Sequence, residues 1–387
     1  MSGFTESNPN DVLAATYYKQ SKEAVGRGEL DHAVELCLKA VKLYEVTGND
    51  EASKAYHVLG VIATQTRRLE DADQWLRKSL EMYQKIGDEL GASRIYYNLG
   101  LVAIKRRNFD GAEIWLRKSI DIAEKQRDES VSSESYQQLG LAAYHRGDLG
   151  AAEQLYSKSL EIDERCADEP GAARTYHYLS NVAYSREDFD TAEEWAWKSL
   201  RINEKQGDES GTADIYNQLG MIAYRRGDLD NAEQRYRKAL EFDERRGNEL
   251  GAAKTFHNLS AVANARKDVE SPEKWLSKSI RIKEKLGDKN GLAVSYLEFG
   301  IVAGTRQDSD AAKQWIFKSL EIYEKLDDEI GMADCYTHLG SHADIERDYE
   351  TSKKWYEKAL QIYEKRGVTV WAAIVKERMS KIKCDES

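Results

Sequence analysis

A repeat of about 40 residues runs through most of this 387-residue chain, and no other feature limits the possible folds as strongly. One alanine recurs in every repeat, as Ala63, Ala103, Ala143, Ala183, Ala223, Ala263, Ala303 and Ala343. An aromatic residue precedes it at a constant distance, as Tyr56, Tyr96, Tyr136, Tyr176, Tyr216, Phe256, Tyr296 and Tyr336. A shifted copy with Tyr17 and Ala24 comes first. The chain is therefore predicted to consist of about nine copies of one structural module.

The spacing inside one repeat predicts two antiparallel α-helices. Tyr96, Leu99 and Ala103 are three and four residues apart, which places them on one face of a helix. After a short turn, Ala112 and Trp115 begin a second series with the same spacing. Because the turn is short, the two helices must lie side by side in opposite directions. The expected fold class is all-α.

A single helical hairpin cannot bury its apolar face, so neighbouring repeats are expected to stack into an α-solenoid. We expect the array at residues 11–366 and a disordered N-terminus at residues 1–10. Residues 367–383 break the repeat, and residues 384–387 would form a tail. The breaking segment carries an apolar stripe of Val370, Trp371, Ile374, Val375 and Met379. It is therefore predicted to be a capping helix that closes the end of the stack.

Composition excludes several classes of function. A net charge of -11 and a pI near 5.4 argue against general nucleic-acid binding, which needs a cationic surface. No apolar run is long enough to span a membrane, and the first residues do not form a secretory signal. The cysteines are Cys37, Cys166, Cys335 and Cys384. Their wide separation predicts reduced thiols, and we expect a cytoplasmic protein.

The motifs of common enzymes are missing from the sequence. It contains no phosphate-binding loop, no serine-hydrolase elbow and no zinc-protease pair of histidines. His338 and His342 are four residues apart, with Glu346 four further on, but unpaired surface histidines are far commoner than such a metal site. We therefore expect no catalysis, no metal and no cofactor.

The order of residues within a repeat resembles that of the tetratricopeptide repeat family. A close example is the segment from Arg225 to Phe242, RRGDLDNAEQRYRKALEF, and the resemblance covers roughly residues 11–366. The period is similar to the longer subclass found in spindle-orientation adaptors, kinesin light chains and many bacterial regulators. The resemblance implies a right-handed superhelix. It also implies a concave inner wall, formed by the first helix of each repeat, that binds extended or helical peptide segments without catalysis.

The candidate binding surface is the side of the first helices that faces away from the repeated apolar residues. Amide side chains there can both donate and accept hydrogen bonds, and could pair with a peptide backbone. Related families use asparagine in this way, which favours Asn98 and Asn258. The predicted binding residues are Arg94, Tyr97, Asn98, Lys105, Gln138, Tyr144, Arg174, His177, Tyr178, Tyr184, Gln218, Tyr224, Lys254 and Asn258. A solvated surface without a ligand, and tyrosines that only pack on neighbouring helices, are the alternatives.

Charge is distributed unevenly along the same surface. Its cations, Lys54, Arg94, Lys105, Arg174, Arg225 and Lys254, lie in the first two thirds of the chain, interrupted by Glu134 and Asp214. Glu298, Asp334 and Asp344 lie in the last third. We hypothesise that the ligand has an acidic segment toward the N-terminal and middle repeats. By contrast, the lysine repeated in every second helix, such as Lys118, is expected to form ion pairs on a solvated outer face.

The sequence therefore predicts a non-catalytic scaffold that binds a protein or peptide segment, with no role for nucleic acid or membrane. One alternative is a self-assembling structural protein, since a homo-oligomer is compatible with the same surfaces. Another is a regulatory subunit that controls a separate effector polypeptide. Within the array, residues 251–286 are expected to be the least stable, because Ser260 replaces a small glycine and Pro272 replaces an alanine.

Overall fold

The structure is a computed structural model that describes residues 8–268, 270–366 and 368–385, and every regular element in these ranges is an α-helix. The helices are α1 (Pro9–Gly26), α2 (Leu30–Thr47), α3 (Ala52–Gln65), α4 (Leu69–Ile86), α5 (Glu89–Lys105), α6 (Phe109–Gln126), α7 (Glu129–His145), α8 (Leu149–Arg165), α9 (Glu169–Ser185), α10 (Phe189–Gln206), α11 (Glu209–Arg225), α12 (Leu229–Arg245), α13 (Glu249–Ala265), α14 (Ser271–Leu286), α15 (Lys289–Thr305), α16 (Ser309–Leu326), α17 (Glu329–Ile345), α18 (Tyr349–Lys365) and α19 (Thr369–Asp385). Successive pairs form helical hairpins, so the predicted all-α solenoid is confirmed.

The chain divides into two compact units, an N-terminal unit of Met1–Ile202 and a C-terminal unit of Asn203–Ser387. In the N-terminal unit, α1, α3, α5, α7 and α9 are the first helices of the hairpins; α1 packs on α2, and α3, α5 and α7 each pack on the helices before and after them in the chain. In the C-terminal unit, α11, α13, α15 and α17 are first helices; α11 packs on α12, α13, α15 and α17 pack on both neighbours in the chain, and α19 packs on α18. Within each unit, the core therefore runs continuously from one hairpin to the next.

Glycine and aspartate set the boundaries between hairpins. Gly87 ends α4 with a left-handed φ of +73°, a conformation that favours glycine. The side chain of Asp88 then accepts a hydrogen bond from the backbone N–H of Gly91 at 2.8 Å and so caps the start of α5. The same cap begins most of the other helices. These residues stop one helix and start the next within a very short turn.

The two helices of each hairpin approach closely at a small residue. A Cβ added to Gly100 would lie 2.6 Å from Cγ of Leu116, and one added to Gly220 would lie 2.6 Å from the ring of Tyr236. Both distances are far shorter than a normal contact between carbon atoms. Glycine at this place therefore sets the distance between the helix axes and makes room for a large residue opposite.

In the eight repeats after the shifted first copy, two serines replace this glycine, and their surroundings differ. Ser180 faces the position of Ala196 on the second helix, where most other repeats have a large residue. The Oγ of Ser180 donates to the carbonyl oxygen of Ala192 at 2.7 Å. Ser260 is opposite the place of the larger Leu276. Its Oγ is buried and has no hydrogen-bond partner. A buried hydroxyl without a partner costs about 1–3 kcal/mol.

A stack of two aromatic rings and a lysine joins the helices of most hairpins on the side of the second helices. Tyr96 of α5 stacks on Trp115 of α6 with ring centroids 5.8 Å apart, and Nζ of Lys118 lies 5.0 Å from the Trp115 ring. Equivalent cation–π contacts are made by Lys78, Lys158, Lys198, Lys238, Lys278, Lys318 and Lys358. The repeated lysine therefore covers aromatic rings, and Lys198 in addition forms the kind of ion pair expected from the sequence, with Glu194 at 2.8 Å. Each such contact contributes about 0.5–1 kcal/mol at an exposed site.

The tyrosine of this stack also contacts the preceding hairpin. The hydroxyl of Tyr136 in α7 donates to Glu124 of α6 at 2.8 Å, and that of Tyr176 in α9 donates to Glu164 of α8 at the same distance. One side chain thus connects its own hairpin to the one before it. The repeated tyrosine is consequently a structural residue of the stack.

Helix α19 covers the apolar surface of α18. Val375 and Ile382 are buried in a cluster that includes Tyr363, and Ala372 allows a close approach. Trp371 was predicted to lie in this stripe, but it is 48% exposed. Val375 and Met379 of the predicted stripe do face the cluster, whereas the small Ala372 takes the buried place that had been predicted for the tryptophan.

Both ends of the described chain are helical. α1 begins at Pro9, and α19 continues to Asp385. A disordered segment was predicted for residues 1–10, but Pro9 and Asn10 belong to α1; residues 1–7 lie outside the described residues, as does the side chain of Val370. At the other end, α19 includes Cys384 and Asp385, which had been assigned to the tail. The division of the chain into an array and a capping segment otherwise stays a prediction.

The backbone of α13 should exchange its amide hydrogens faster than that of α5 or α11. Its Ser260 is unsatisfied, and the partner helix α14 begins after Glu270, which makes no capping hydrogen bond through its side chain. Hydrogen exchange followed by mass spectrometry measures this difference. Equal protection of the three helices would contradict the expectation.

The same substitution should have opposite effects at the two serines. Ser260→Ala removes an unsatisfied hydroxyl and should stabilise α13 by about 1 kcal/mol. Ser180→Ala removes the hydrogen bond to Ala192 and should destabilise α9 by a similar amount, about 1 kcal/mol. Thermal melting and local hydrogen exchange of both variants provide the measurement, and a shift of equal sign in the two would refute this account.

Candidate functional site

The predicted binding residues all lie on first helices. In the N-terminal unit, Arg94, Tyr97, Asn98 and Lys105 are on α5, Gln138 and Tyr144 on α7, and Arg174, His177, Tyr178 and Tyr184 on α9. In the C-terminal unit, Gln218 and Tyr224 are on α11, and Lys254 and Asn258 on α13. The four cations are exposed, Gln218 is buried, and the remaining residues are half-buried. We call the residues Lys54, His57, Arg94, Tyr97, Asn98, Gln138, Arg174 and Tyr178 the N-terminal first-helix surface.

A cavity of about 270 Å³ opens on this surface between α1, α3 and α5. Its lining residues are Tyr18, Lys54, His57, Tyr83, Asp88, Leu90, Gly91 and Arg94. Arg94 was predicted as a binding residue, whereas Tyr18 and Tyr83 were not. Tyr83 comes from the last turn of the second helix α4, so it belongs to a column that we had not considered. The volume suits one or two peptide residues and not a large ligand.

Two cations stand at this cavity, and each also contacts a carboxylate. Nζ of Lys54 lies 2.6 Å from Glu51, and Arg94 lies 3.4 Å from Asp128. The side chains of Lys54, Glu51 and Arg94 are about half exposed, and only that of Asp128 is more buried. These ion pairs therefore contribute little to stability. The cations can therefore exchange their partners for a ligand group at little cost.

His57 connects the cavity to Asn98. The amide nitrogen of Asn98 donates to the carbonyl oxygen of Arg94 at 2.8 Å and lies 3.0 Å from Nε2 of His57. Burial and the nearby Arg94 guanidinium lower the pKa of His57 to about 4. The imidazole is therefore neutral at pH 7, and its Nε2 can accept this hydrogen bond. The amide nitrogen of Asn98 is held by the chain itself, and its carbonyl oxygen is the group that it can offer a ligand.

Next to the cavity, an aromatic cluster extends from α5 to α9. Tyr178 stacks on Tyr156 with ring centroids 5.0 Å apart and forms a hydrogen bond with Gln138. Burial raises the pKa of Tyr97, whose phenol also interacts with Tyr178 and with the exposed guanidinium of Arg174. Aromatic faces, an amide and a cation thus follow one another across three first helices. Such a row can stack on side chains, pair with a backbone and attract a negative charge.

A carboxylate lies within this cluster as well. Burial raises the pKa of Glu134, and the nearby Arg174 and Arg94 guanidinium groups act in the opposite direction. The local charge is therefore mixed, with two arginines facing one partly buried acid. A ligand that is to bind here has to satisfy both signs of charge.

The predicted binding residues Tyr144, Tyr184 and Tyr224 occupy the same place in three successive repeats. Two of these tyrosines make the following contacts within the array. The hydroxyl of Tyr144 forms a hydrogen bond with Ser185 Oγ at 2.8 Å, which connects α7 to α9. The ring of Tyr184 meets that of Phe189 edge to face at 5.8 Å. Packing between helices, the alternative weighed for these tyrosines, therefore accounts for at least part of their role.

Glu346, which follows the histidine pair His338 and His342 on the same helix, is bonded to two neighbouring side chains. Glu346 accepts a hydrogen bond from Ser309 at 2.6 Å and forms an ion pair with Lys313. In the ranges that the structure describes, no three side chains of His, Cys, Asp or Glu are close enough together to hold a metal. Nor is any helix in those ranges both long and apolar enough to cross a membrane.

The repeated hairpins and their first-helix surfaces define a tetratricopeptide-type array. A family model described as the MalT-like TPR region matches residues 87–299, and two tetratricopeptide repeat models match residues 54–86 and 333–366. The first match covers more than half of the chain, so the chain belongs to the MalT-like TPR family. No curated protein was found to match the sequence.

Several solved structures share the fold. The chain is similar to the apo form of the quorum sensor NprR from B. thuringiensis, with 14% identity, a TM-score of 0.66 and coverage of 90% of this chain and 98% of that one. It is similar to a signal transduction ATPase with a tetratricopeptide repeat sensor from Pyrococcus horikoshii, with 16% identity, a TM-score of 0.65 and coverage of 95% and 55%. It is also similar to a Rap protein complexed with competence and sporulation factor, with 15% identity, a TM-score of 0.62 and coverage of 92% and 99%. At these identities, the likeness concerns the fold alone.

His57 should make the stability of the protein depend on pH. Because its pKa in the folded state, about 4, is below the ordinary value of 6.5, the unfolded chain takes up the proton first as the pH falls. The contribution of neutral His57 is thus fully present above pH 6.5 and is lost as the pH falls toward 4. Thermal melting of wild type and His57→Gln, the residue that Gln137 provides in a sister repeat, should show a difference that changes over this interval. A difference that is constant with pH would be inconsistent with the buried neutral imidazole.

Proposed function

We propose that the chain is a non-catalytic scaffold that binds a protein or peptide segment along the N-terminal first-helix surface. The observation that carries the proposal is the cavity beside α5 and the row of aromatic, amide and cationic side chains that continues to α9. A segment of one or two residues could enter the cavity, and the adjoining residues could contact Gln138 and Tyr178. The half-buried tyrosines are suited to such an interface because they present a large contact area and lose little conformational freedom.

The comparisons support binding in a general way. One similar structure is named as a quorum sensor, and another holds competence and sporulation factor. Residues of the proposed surface differ from repeat to repeat, whereas the residues that stack the hairpins are nearly constant. Since variable first-helix columns are not required for folding, they are free to be adapted to a ligand.

The proposed segment is acidic where it meets the exposed Arg174, in line with the hypothesis from the sequence. Arg174 interacts with the phenols of Tyr97 and Tyr178 and with the carboxyl group of Glu134. An acidic residue of the ligand could replace the water around this guanidinium and form a charge-assisted hydrogen bond. We expect such binding to weaken when salt is added, because the site is exposed to solvent.

Substitution of Gln138 and Arg174, two residues of the N-terminal first-helix surface, should weaken binding of the partner. We expect the double variant Gln138→Ala/Arg174→Ala to bind a partner captured from the native organism about tenfold more weakly, which corresponds to about 1.4 kcal/mol. The affinity is measured by titration after the partner has been identified by mass spectrometry. Arg201→Ala is the matched control, because it removes an exposed arginine from the second helix α10.

Hydrogen exchange of the complex locates the partner independently of the variants. Protection of α5, α7 and α9 on binding supports the proposal. Protection of the second helices, together with equal affinities of the double variant and wild type, would contradict it. If the chain captured only further copies of itself, self-assembly would replace binding of a separate partner as the explanation.

A further inference from the structure

One tyrosine of the first helices lacks the aromatic ring that pairs with its counterparts. The other members of its column, from Tyr56 to Tyr336, each lie against a second ring, and in all but one of these pairs that ring is a tryptophan of the following helix. In the hairpin of Tyr136, Leu155 takes the place of the tryptophan. Within the ranges that the structure describes, no ring stacks on Tyr136.

Another hairpin that lacks the tryptophan replaces it with a ring of its own. Arg235 stands at the tryptophan place there, and Phe242 of α12 stacks on Tyr216 of α11 with ring centroids 6.1 Å apart. The guanidinium carbon of Arg245 lies 5.1 Å from the centroid of the Phe242 ring. A ring beside this tyrosine is thus held by a second aromatic face and by a cation.

The counterparts of these residues beside Tyr136 line a cavity. Ile162 of α8 stands where α12 has Phe242, and Arg165 stands where it has Arg245. Together with Tyr136, they line a space of about 330 Å³ between α6, α7 and α8. The ring that is missing from this hairpin therefore has an open cavity in its place, with the same tyrosine and the same cation beside it.

The cavity carries both signs of charge in equal number. Its lining includes the cations of Arg127, Lys158 and Arg165 and the carboxylates of Glu124, Glu129 and Glu161. Arg165 forms an ion pair with Glu129 at 3.0 Å, and Glu124 accepts a hydrogen bond from the hydroxyl of Tyr136 at 2.8 Å. These two carboxylates are therefore engaged by the chain itself.

The remaining charged groups are available to a ligand. Arg127 and Glu161 form no hydrogen bond or ion pair with any residue in the described part of the chain. Nζ of Lys158 lies 5.3 Å from the ring centroid of Tyr136, which is a contact with an aromatic face and not with an anion. Because the unused groups include cations and an acid, a ligand with one sign of charge leaves part of them unpaired. A zwitterion can satisfy both signs.

We propose that this cavity binds a free aromatic amino acid on the side of the second helices. The ring of the ligand lies beside Tyr136 and Ile162, in the place that Phe242 takes against Tyr216. The carboxylate of the ligand pairs with Arg127 and Lys158, and its ammonium group pairs with Glu161. The volume is at the lower end of that of small-molecule sites, which agrees with a ligand of this size. The inference does not assume that a segment binds to the N-terminal first-helix surface, whose residues are all different.

Three small molecules test which groups of the ligand are recognised. L-Phenylalanine carries the ring and both charges, L-cyclohexylalanine keeps both charges without an aromatic ring, and N-acetyl-L-phenylalaninamide keeps the ring without the charges. Isothermal titration calorimetry gives the affinity of the full chain for each. We expect phenylalanine to bind about tenfold more tightly than the uncharged compound and several-fold more tightly than cyclohexylalanine. L-Tyrosine and L-tryptophan are titrated alongside to find the preferred ring.

Two substitutions taken from sister repeats test the site. Ile162→Phe introduces the ring of Phe242, so it should raise the melting temperature and weaken phenylalanine binding at least tenfold. Arg127→Gly removes a cation of the cavity from a residue with a left-handed φ of +58°, a conformation that favours the glycine of the sister turn at Gly87. It should weaken binding about tenfold without loss of stability. Asp327→Gly, the same change at a turn of the C-terminal unit, is the matched control and should leave the affinity unchanged.

Three results would overturn the proposal. One is the absence of binding of all three aromatic amino acids to the wild-type chain. Another is an equally tight binding of N-acetyl-L-phenylalaninamide, which would assign the cavity to an aromatic residue within a polypeptide. The third is an unchanged affinity for phenylalanine in both Ile162→Phe and Arg127→Gly. Thermal melting shows whether the variants fold, and Arg127→Gly decides the matter if Ile162→Phe does not.

Discussion

The structure depends on the close approach of the two helices in each hairpin. Gly100 leaves no room for a side chain opposite Leu116, so the volume of the interface is divided between one minimal and one large residue. This distance between the helix axes determines where every other column of side chains points. Where Ser180 takes the place of the glycine, Ala196 takes the place of the large residue, so the two helices keep a compatible total volume.

A second set of contacts fixes the step from one hairpin to the next, and it does not involve the opposite side of the first helices. The hydroxyl of Tyr136 donates to Glu124 in the preceding hairpin, and the hydroxyl of Tyr96 accepts from Gln84 in the hairpin before it. This aromatic place is nearly constant because each step uses it. The columns of His57 and Asn98 are not needed for either contact, and their composition changes from repeat to repeat. The residues that stack the hairpins and those of the proposed binding surface thus lie on different faces of the same helix.

The sequence was sufficient to predict the helices and their pairing, because both follow from spacing within one repeat. The sequence was not sufficient to predict that Tyr83 and Lys283 are buried. Both lie in the last turn of a second helix, and whether such a residue is buried depends on the first helix of the next repeat. Spacing within a hairpin contains no information about that neighbour. Trp371 was misplaced for a related reason, since α19 has no sister helix with which it could be aligned.

The pairing of neighbouring hairpins has a consequence for how a chain of this kind can change. Each contact that stabilises the stack extends over at most about one repeat, as between Tyr136 and Glu124. If one whole repeat were excised or inserted, the new junction would bring together the same constant residues that every other junction uses. The gene could therefore lose or gain whole modules without a new interface having to evolve, and each event would shorten or lengthen the array by one hairpin.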